Sequence, residues 1–409
     1  MKSLSLLRRN QLRPLILILT IFIIVFPRCS KDSGGDTGGG APPLLSLSPL
    51  TQIEGTGGNS KFAFELSLSA AYSQPVSVEI SSADGTAIAG EDFIAVSKLV
   101  VLIPAGQTKG TFSIDIVGDE WKEQTEDFNL QLANPVNCRL SSTFNKGYIL
   151  NDDVRIRIND DGSNTSPAAY PGYNLAWSDE FSGASLDKTS WNYETGDGCP
   201  NCGWGNNELQ LYTAEDNLYM QDGMMIIEAR AESKGGKNYT SSRITTQNKK
   251  AFTFGRIDVR AKLPKGKGIW PAIWMLGTKI STVSWPKCGE LDIMELLGQE
   301  PNKVYQTIHY GPGPGSIQKS KSRISPTPYS DGFHLYSLNW EQDKLQFYID
   351  NVILLEVNKA DLGGQDYPFN EPFFFLFNIA VGGNWPGSPD ASTLFPQWMM
   401  VDYVRVFQK

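Results

Sequence analysis

Two stretches of the chain alternate between apolar and polar residues with a period of two, which is typical of strands with one buried face. The first stretch covers roughly residues 44–155, where one run places several apolar residues on a single strand face: Phe62, Phe64, Leu66 and Leu68. Turns rich in Gly, Asp and Asn separate such runs. This pattern predicts an antiparallel β-sandwich.

The second stretch covers residues 171–409 and is also strand-like. Residues 255–263 and 401–407 alternate in the same way, and Asp350-Asn351 lies between two apolar runs as the turn of a hairpin. No long run repeats with the 3.6-residue period of an amphipathic helix. We therefore expect a second, larger all-β sandwich.

The two stretches differ in aromatic content. Of the ten tryptophans, only Trp121 precedes residue 170, and residues 159–167 are polar and rich in turn formers. We place a linker at residues 156–170, between a first domain at 44–155 and a second domain at 171–409.

Residues 1–29 are similar to an export signal. Arg8 and Arg9 precede a nearly unbroken apolar run at residues 15–26, which is shorter than the roughly 20 residues of a membrane-spanning helix. Cys29 stands where a bacterial lipoprotein is acylated, and a Gly-rich tether at residues 30–43 follows it. We expect a lipid anchor on Cys29 that holds the protein at the bacterial outer membrane or cell surface. The alternatives are a periplasmic or secreted protein, or an ordinary signal anchor with an incidental cysteine.

The chain is acidic, with 44 Asp and Glu against 36 Lys and Arg and a formal net charge of −8. A nucleic-acid-binding protein needs a basic surface, so we expect no nucleic-acid partner. The sequence has only two histidines, which excludes a zinc site made of several imidazoles. Carboxylates are therefore the groups to examine for catalysis.

The acidic run GELDIMEL at residues 289–296 is the main candidate for chemistry. On a regular strand Glu290 and Asp292 point to one face, and Glu295 points to the other. A one-residue bulge near Ile293–Met294 would turn Glu295 onto the face of the first two acids. The alternative is an acidic edge strand without a catalytic role.

Three neighbouring carboxyls cannot all ionise easily, so their pKa values must separate. One can stay an anionic nucleophile while another keeps a proton at neutral pH, which is the pair that glycosidic bond cleavage requires. Their short spacing along one strand fits the carboxyl separation of about 5–5.5 Å in retaining enzymes better than the wider separation of inverting enzymes.

The surroundings of this run resemble a known enzyme family. Tryptophans and a histidine lie on both sides of it in the sequence, and aromatic rings offer flat apolar faces to sugars. Nearly the whole second domain resembles family 16 of the glycoside hydrolases, in particular the laminarinases, which are endo-acting β-1,3-glucanases. The matching phrases follow the family's order: WSDEF (177–181), GWGNNELQ (203–210), GRIDVRAK (255–262), WPAIWM (270–275), GELDIME (289–295), NIAVGGNW (378–385) and DYVRV (402–406).

The resemblance implies a β-jelly roll with a substrate cleft across its concave sheet. It makes Glu290 the nucleophile, Glu295 the general acid/base and Asp292 the residue that tunes the nucleophile. It also implies sugar contacts from six further residues: Asn207, Arg256, Trp270, Trp274, Trp285 and His309. We expect a monomer that hydrolyses laminarin-like β-1,3-glucan without a catalytic cofactor.

Two alternatives remain open at this point. The same mechanism could act on agarose, porphyran, carrageenan or mixed-linkage glucan, or the protein could bind glucan at the cell surface without cleaving it. The presence of both Glu290 and Glu295 favours an enzyme.

The first domain resembles Calx-beta domains through DGTAIAGEDF (84–93), IPAGQT (103–108), GDEWKEQTEDF (118–128) and NDD (151–153). The resemblance implies calcium ligands among acidic residues at one tip of the sandwich: Glu54, Asp92, Asp119, Glu123, Glu126, Asp152 and Asp153. Oxygen ligands on loops suit Ca²⁺, which takes roughly 6–8 of them. Gly118 and Asn151 stand where the family often has further aspartates, so the alternative is a calcium-free spacer.

The family 16 resemblance also implies a structural calcium in the second domain, held by Glu180, the backbone carbonyl of Gly223 and Asp402.

The cysteines of the second domain suggest no redox chemistry. Cys199 and Cys202 lie in a loop, where we expect a disulfide in an exported protein. Cys288, two residues before the nucleophile, is expected to be buried without a chemical role.

Overall fold

A computed structural model describes residues 41–409, so the predicted export segment, Cys29 and most of the tether lie outside the described residues. Within this range the chain forms two β-domains from 25 strands, with one four-residue α-helix and two short 3₁₀ helices. None of these helices is long and apolar enough to cross a membrane.

The first domain is a sandwich of two sheets, as the sequence predicts. Its strands are β1 (Leu44–Leu47), β2 (Leu50–Ile53), β3 (Gly58–Leu68), β4 (Val76–Asp84), β5 (Leu99–Ile103), β6 (Lys109–Gly118), β7 (Glu126–Val136), β8 (Arg139–Leu140) and β9 (Phe144–Leu150). One sheet has the order β6-β3-β1-β8 and the other β2-β9-β7-β4-β5. The apolar residues that alternate along β3 are all buried, and they meet the stacked rings of Phe93 and Phe128 between the sheets.

The second domain is a larger sandwich. Its strands are β10 (Asn174–Asp179), β11 (Asn192–Tyr193), β12 (Gln210–Thr213), β13 (Leu218–Gln221), β14 (Met224–Ala229), β15 (Tyr239–Thr245), β16 (Gly255–Lys262), β17 (Ile269–Gly277), β18 (Glu290–Leu296), β19 (Lys303–Tyr310), β20 (Ile317–Ile324), β21 (His334–Glu341), β22 (Lys344–Ile349), β23 (Val352–Asn358), β24 (Phe373–Val381) and β25 (Gln397–Gln408). The helices are α1 (Ile280–Val283) and two 3₁₀ turns at Lys359–Leu362 and Pro368–Asn370.

Two sheets make up this sandwich. The inner sheet, which carries the acidic run, has the order β11-β15-β24-β17-β18-β19-β20, with β12 beside β15. The outer sheet has the order β13-β14-β25-β16-β21-β22-β23, with β10 beside β25. This is the β-jelly-roll sandwich that the family resemblance implies.

One continuous apolar core lies between the two sheets. All nine residues of β24 are buried, and the rings of Trp191 and Trp340 are fully enclosed. The predicted hairpin joins β22 to β23, where Asp350 and Asn351 both have positive φ values, 51° and 61°, as a tight two-residue turn requires.

The linker is not the free polar spacer that its composition suggests. Ile156 is buried against a small apolar cluster of the second domain: Met224, Ile226, Phe333 and Met400. The side chain of Gln221 brackets the backbone of Ile156, accepting from its N–H at 2.8 Å and donating to its carbonyl at 2.6 Å. The first part of the linker therefore packs on the outer sheet.

Ion pairs hold the rest of the linker to the same surface. Arg260 on β16 is almost completely buried, and its guanidinium donates to both carboxylate oxygens of Asp160 at 2.5 and 2.7 Å. It also donates to Asp402 of β25 at 2.8 Å. Further along, the Tyr170 hydroxyl donates to Asp258 at 2.6 Å.

We predict that Asp160→Asn lowers the free energy of unfolding by roughly 1–3 kcal/mol, because the buried guanidinium of Arg260 loses one of its two carboxylate partners. Hydrogen bonds from Arg260 hold the pKa of Asp160 below its ordinary value, so the contribution is lost in acid. The difference between wild type and variant should shrink as the pH falls below about 4. Urea unfolding of the whole chain measures both effects.

Asp161→Asn is the matched control, since Asp161 is exposed and hydrogen-bonds to the backbone N–H of Ser163. An equal loss of stability in the two variants would contradict the ion-pair explanation.

Candidate active site

The acidic run forms β18, and the strand contains the predicted bulge. Glu290 and Asp292 lie opposite His309 and Thr307 of β19, and the register shifts before Glu295 pairs with Tyr305. Because β18 has one more residue than β19 across this interval, Ile293 and Met294 are both buried in the core. The three carboxyl groups therefore share the cleft face of the inner sheet.

Each glutamate accepts a hydrogen bond from an indole. Trp285 Nε1 donates to Glu290 Oε2 at 3.1 Å, and Trp270 Nε1 donates to Glu295 Oε1 at 3.1 Å. These neutral donors orient the carboxyls without bringing a positive charge next to them.

His309 lies beside the other two acids. Its Nε2 is 3.3 Å from Asp292 Oδ2 and 3.7 Å from Glu290 Oε1, while its Nδ1 is 3.0 Å from the hydroxyl of Ser316. Asp292 Oδ2 makes no well-aligned hydrogen bond within the described residues, although His309 Nε2 lies close to it. This position makes His309 a partner of the carboxyls as well as a cleft residue.

Burial raises the pKa of all three acids. The pKa of Glu290 rises to about 8 through loss of hydration and then through the charge of Asp292, and that of Glu295 rises to about 8 for the same two reasons. Burial alone raises the pKa of Asp292 to about 8. The cluster therefore keeps protons at neutral pH, whereas His309 and the indole of Trp285 favour the ionised form of Glu290.

The acids lie at the bottom of a cleft of about 760 Å³. Its walls are aromatic, with rings contributed by six residues: Trp204, Trp270, Trp274, Trp285, Tyr305 and Trp385. Its floor is polar, with hydrogen-bonding groups from the strands on either side of β18: Arg243, Asn378, Thr307, Gln318 and Ser320. Flat rings beside hydroxyl and amide groups suit a sugar chain.

Several cleft side chains are fixed from behind. Trp274 Nε1 donates to Asn378 Oδ1 at 2.9 Å, and Asn378 in turn donates to the hydroxyl of Tyr212 at 3.1 Å. The guanidinium of Arg243 lies 4.5 Å from the ring centre of Trp204 and 5.1 Å from that of Trp274. These contacts hold the rings in place before any sugar binds.

Four of the six predicted sugar contacts line the cleft: Trp270, Trp274, Trp285 and His309. Asn207 is not among the residues that line the cleft, whereas its neighbour Asn206 is. The side chain of Asn207 donates to Asn384 Oδ1 at 2.8 Å.

The prediction for Arg256 is wrong. Arg256 belongs to β16 in the outer sheet, where it donates to Asp258 Oδ1 at 2.7 Å. Ile257 and Val259 of the same strand point into the core, so the alternation turns Arg256 towards the linker, on the side opposite the cleft.

Several cleft residues were not among the sugar contacts predicted from the sequence. Trp204, Asn206, Asn378 and Trp385 stand in family phrases and could have been chosen from them. Tyr305, Thr307, Gln318 and Ser320 stand in none, and only the alternation of β19 and β20 marks them, once the pairing with β18 is known.

In the second domain, the predicted calcium ligands Glu180 and Asp402 each pair with an arginine. Arg405 donates to both carboxylate oxygens of Glu180 at 2.9 and 2.7 Å, and Arg260 donates to Asp402. Calcium binding by Glu180, the carbonyl of Gly223 and Asp402 stays a prediction.

Cys199 and Cys202 form the expected disulfide, in the loop that leads to Trp204 of the cleft. Cys288 is buried, as expected.

The acidic tip of the first domain, in contrast, brings its predicted ligands together. Carboxylate oxygens lie within 4.8 Å of one another in two groups, one of Glu54, Asp152 and Asp153 and the other of Asp92, Glu123 and Glu126. The charge of the seventh predicted ligand, Asp119, raises the pKa of Glu54 in the first group and of Glu123 in the second.

This tip has the electrostatics of a cation site. Burial and then the charge of Glu123 raise the pKa of Glu54 to about 8, and burial and then Asp92 raise that of Glu126 to about 8. Glu54 Oε1 and Asp153 Oδ2 are buried without a hydrogen-bond partner in the described part of the chain. An aspartate could not replace Gly118, because a Cβ there would lie 1.9 Å from the carbonyl oxygen of Gly55.

A jelly roll with two glutamates and an aspartate on one bulged strand of an aromatic cleft is the arrangement of a glycoside hydrolase. The profile of glycosyl hydrolases family 16 matches residues 202–405, and that of the Calx-beta domain matches residues 51–162. The chain belongs to glycosyl hydrolases family 16, and it carries a Calx-beta domain before the catalytic one.

Known proteins of this kind are similar over the catalytic domain. Glucan endo-1,3-beta-glucosidase A1 of Niallia circulans is 40% identical over 272 residues, which are 61% of this chain and 39% of that protein. A beta-glucanase of Rhodothermus marinus is 39% identical over 264 residues, which are 60% of this chain and 89% of that protein. The laminarinase catalytic domain from Thermotoga maritima MSB8 has a TM-score of 0.55 and 43% identity, over 58% of this chain and 98% of that one.

The raised pKa values predict that Asp292→Asn stabilises the protein at high pH. The folded carboxyl titrates near pH 8 and an unfolded aspartate near pH 4, so the folded state binds the extra proton and loses stability as the pH rises between these values. Between pH 5 and pH 9 the variant should gain at least about 1 kcal/mol on wild type, or about 2–4 °C in Tm. Thermal unfolding across this range measures the gain.

Asp366→Asn, at an exposed loop position, is the control and should show no such trend. A Tm difference for Asp292→Asn that stays constant with pH would contradict the assignment.

Proposed function

We propose that this protein cleaves β-1,3-linked glucan within the polysaccharide chain and retains the configuration of the anomeric carbon. The observation that carries the proposal is the bulge in β18, which aims Glu290 and Glu295 into one aromatic cleft. The names of the similar proteins, a glucan endo-1,3-beta-glucosidase and a laminarinase, support the choice of substrate.

The reaction runs in two displacements. The Glu290 carboxylate attacks the anomeric carbon while Glu295 gives its proton to the glycosidic oxygen, which leaves as a hydroxyl of the departing oligosaccharide. Glu295, now ionised, then takes a proton from water, and the water oxygen displaces Glu290 from the glycosyl ester. One glycosidic bond is broken and one water molecule is consumed.

Asp292 and His309 prepare the first step. With Asp292 protonated, Glu290 can ionise without a second negative charge beside it. His309 Nε2 lies within 4 Å of both acids, so it can hydrogen-bond to either one as Glu290 loses its charge in forming the ester.

A panel of polysaccharides tests the substrate. We expect the protein to release reducing ends from laminarin with early formation of short oligosaccharides, and to release far fewer from lichenan, agarose or carrageenan. Activity on a galactan instead would keep the mechanism and overturn the substrate. No activity on any of them, with laminarin still retained in a pull-down, would mean binding without cleavage.

Azide rescue separates the roles of the two glutamates. Glu295→Gln should lower the rate about 10²–10⁴-fold on laminarin, because general acid–base catalysis is lost. On an aryl β-glucoside with a good leaving group, azide should restore part of the rate and give the β-glycosyl azide, since it attacks the ester without a base. Glu290→Gln is the matched control, and a β-azide product from it would contradict the nucleophile assignment.

We further propose that the acidic tip of the first domain binds calcium. Its support is the set of carboxylates within 4.8 Å of one another and the two buried carboxylate oxygens that lack partners. Hard oxygen ligands of this kind suit Ca²⁺, which would neutralise their mutual repulsion. When bound, the ion supplies structure to the first domain and takes no part in glucan cleavage.

Calorimetric titration with Ca²⁺ tests this proposal. Calcium at 100 times its dissociation constant should stabilise the first domain by about 2.7 kcal/mol, and EGTA should reverse the effect. Glu126→Gln should weaken binding, whereas Glu65→Gln, in an exposed ion pair with Lys109, should not. If injecting Ca²⁺ into wild-type protein gives no more heat than injecting it into buffer, the first domain is a calcium-free spacer.

The anchoring of the protein is also a proposal. The positive and apolar residues before Cys29, and the Gly-rich tether after it, support export and a lipid anchor at the outer membrane or cell surface.

A further inference from the structure

The loop that joins β6 to β7, residues 119–125, faces two ways. Asp119 and Glu123 belong to the acidic tip, where the charge of each raises the pKa of Glu54. Lys122 and Gln124, which alternate with them, contact the second domain instead. One short stretch of backbone therefore carries ligands of the tip and contacts between the domains.

The contact made by Lys122 is an enclosed ion pair. Its Nζ lies 2.8 and 2.9 Å from the two carboxylate oxygens of Glu228 on β14, a side chain with no exposed surface. Glu228 also accepts from Arg230 at 2.7 Å and from the hydroxyl of Tyr219 at 2.9 Å. Burial raises the pKa of Glu228, but Arg230 and Lys122 outweigh this effect and keep it below its ordinary value.

Further contacts from the same loop surround this pair. Gln124 donates to the carbonyl of Pro396 at 3.1 Å, just before β25. The backbone N–H of Lys122 donates to the carbonyl of Arg155 at 2.5 Å, and the guanidinium groups of Arg155 and Arg157 lie 5.4 and 5.5 Å from the ring centre of Trp121. The loop thus also fixes the segment that leads into the linker.

The acidic tip works against this arrangement when no cation is bound. Asp119 and Glu123 face Glu54, Asp92 and Asp153, and the positive group that meets them from the linker is Arg157, at 3.0 Å from Asp119. Without a cation these acids cannot all ionise, because their negative charges would repel one another across the tip. A divalent cation reverses the sign of this force and draws the loop towards Glu54 and Asp153.

We propose that calcium at the tip fixes the 119–125 loop and, through Lys122 and Glu228, locks the Calx-beta domain against the outer sheet of the catalytic domain. This inference rests on the proposed calcium site. The coupling is reciprocal, so docking of Lys122 on Glu228 must strengthen calcium binding by the same factor by which calcium strengthens docking. Calcium bound to one domain then stabilises the other, at a surface remote from the cleft.

The test compares wild type with Lys122→Gln/Glu228→Gln, which removes both charges and leaves no unpaired buried carboxylate. Scanning calorimetry follows the unfolding of each domain, and calorimetric titration gives the calcium affinity. In wild type, calcium should raise the unfolding temperature of both domains. In the double variant, calcium should raise the unfolding temperature of the first domain only. Its affinity for calcium should be at least about fivefold lower than that of wild type.

Lys109→Gln/Glu65→Gln is the matched control, because it removes an exposed ion pair of the first domain that lies outside the junction. It should behave as wild type. An equal calcium-induced rise for the catalytic domain in wild type and Lys122→Gln/Glu228→Gln would overturn the coupling. Calcium binding in wild type without a rise in the unfolding temperature of the catalytic domain would also overturn the coupling, but it would leave the calcium site supported. Absence of binding heat would overturn both proposals.

Discussion

The loss of water around three carboxyls on one strand is the constraint on which the catalytic domain depends. A strand with Glu290, Asp292 and Glu295 on one face is tolerated only because the acids keep protons and because Ile293 and Met294 both enter the core behind them. The donors to the glutamates are neutral indoles. An arginine in place of these indoles would lower the pKa of the glutamates and remove the protonated acid that the reaction needs. The guanidinium of Arg243, which lines the cleft, is instead paired with Glu194.

Local patterns allowed much of this architecture to be predicted. Alternation with a period of two marks strands, two residues between apolar runs mark the β22–β23 hairpin, and the late position of Glu295 marks the bulge, since each depends on neighbours in sequence. Arg256 shows where such reasoning ends. Alternation says that it shares a face with Asp258, but only the order of strands decides that this face lies opposite the cleft.

Long-range partners explain the other differences. Glu180 and Asp402 stand in the expected phrases, but their pairing with Arg405 and Arg260 was not predicted, because no pattern around a carboxylate indicates which distant arginine will reach it. The linker is similar: in a polar segment with few apolar residues, Ile156 is buried against strands far away in sequence, and Ile158 packs on the same cluster. Composition describes the average of a segment, whereas docking depends on single side chains.

The position of β25 has a consequence for how the molecule is made. This strand comes last in chain order, yet it lies inside the outer sheet, with β14 and β10 along one side and β16 along the other. Until β25 emerges from the ribosome, β14 and β16 have open edges that can pair with other chains. The first domain has no such delay, because its strands are complete by residue 150. The first sandwich can therefore fold early, whereas the catalytic half must be kept from aggregation until β25 is available.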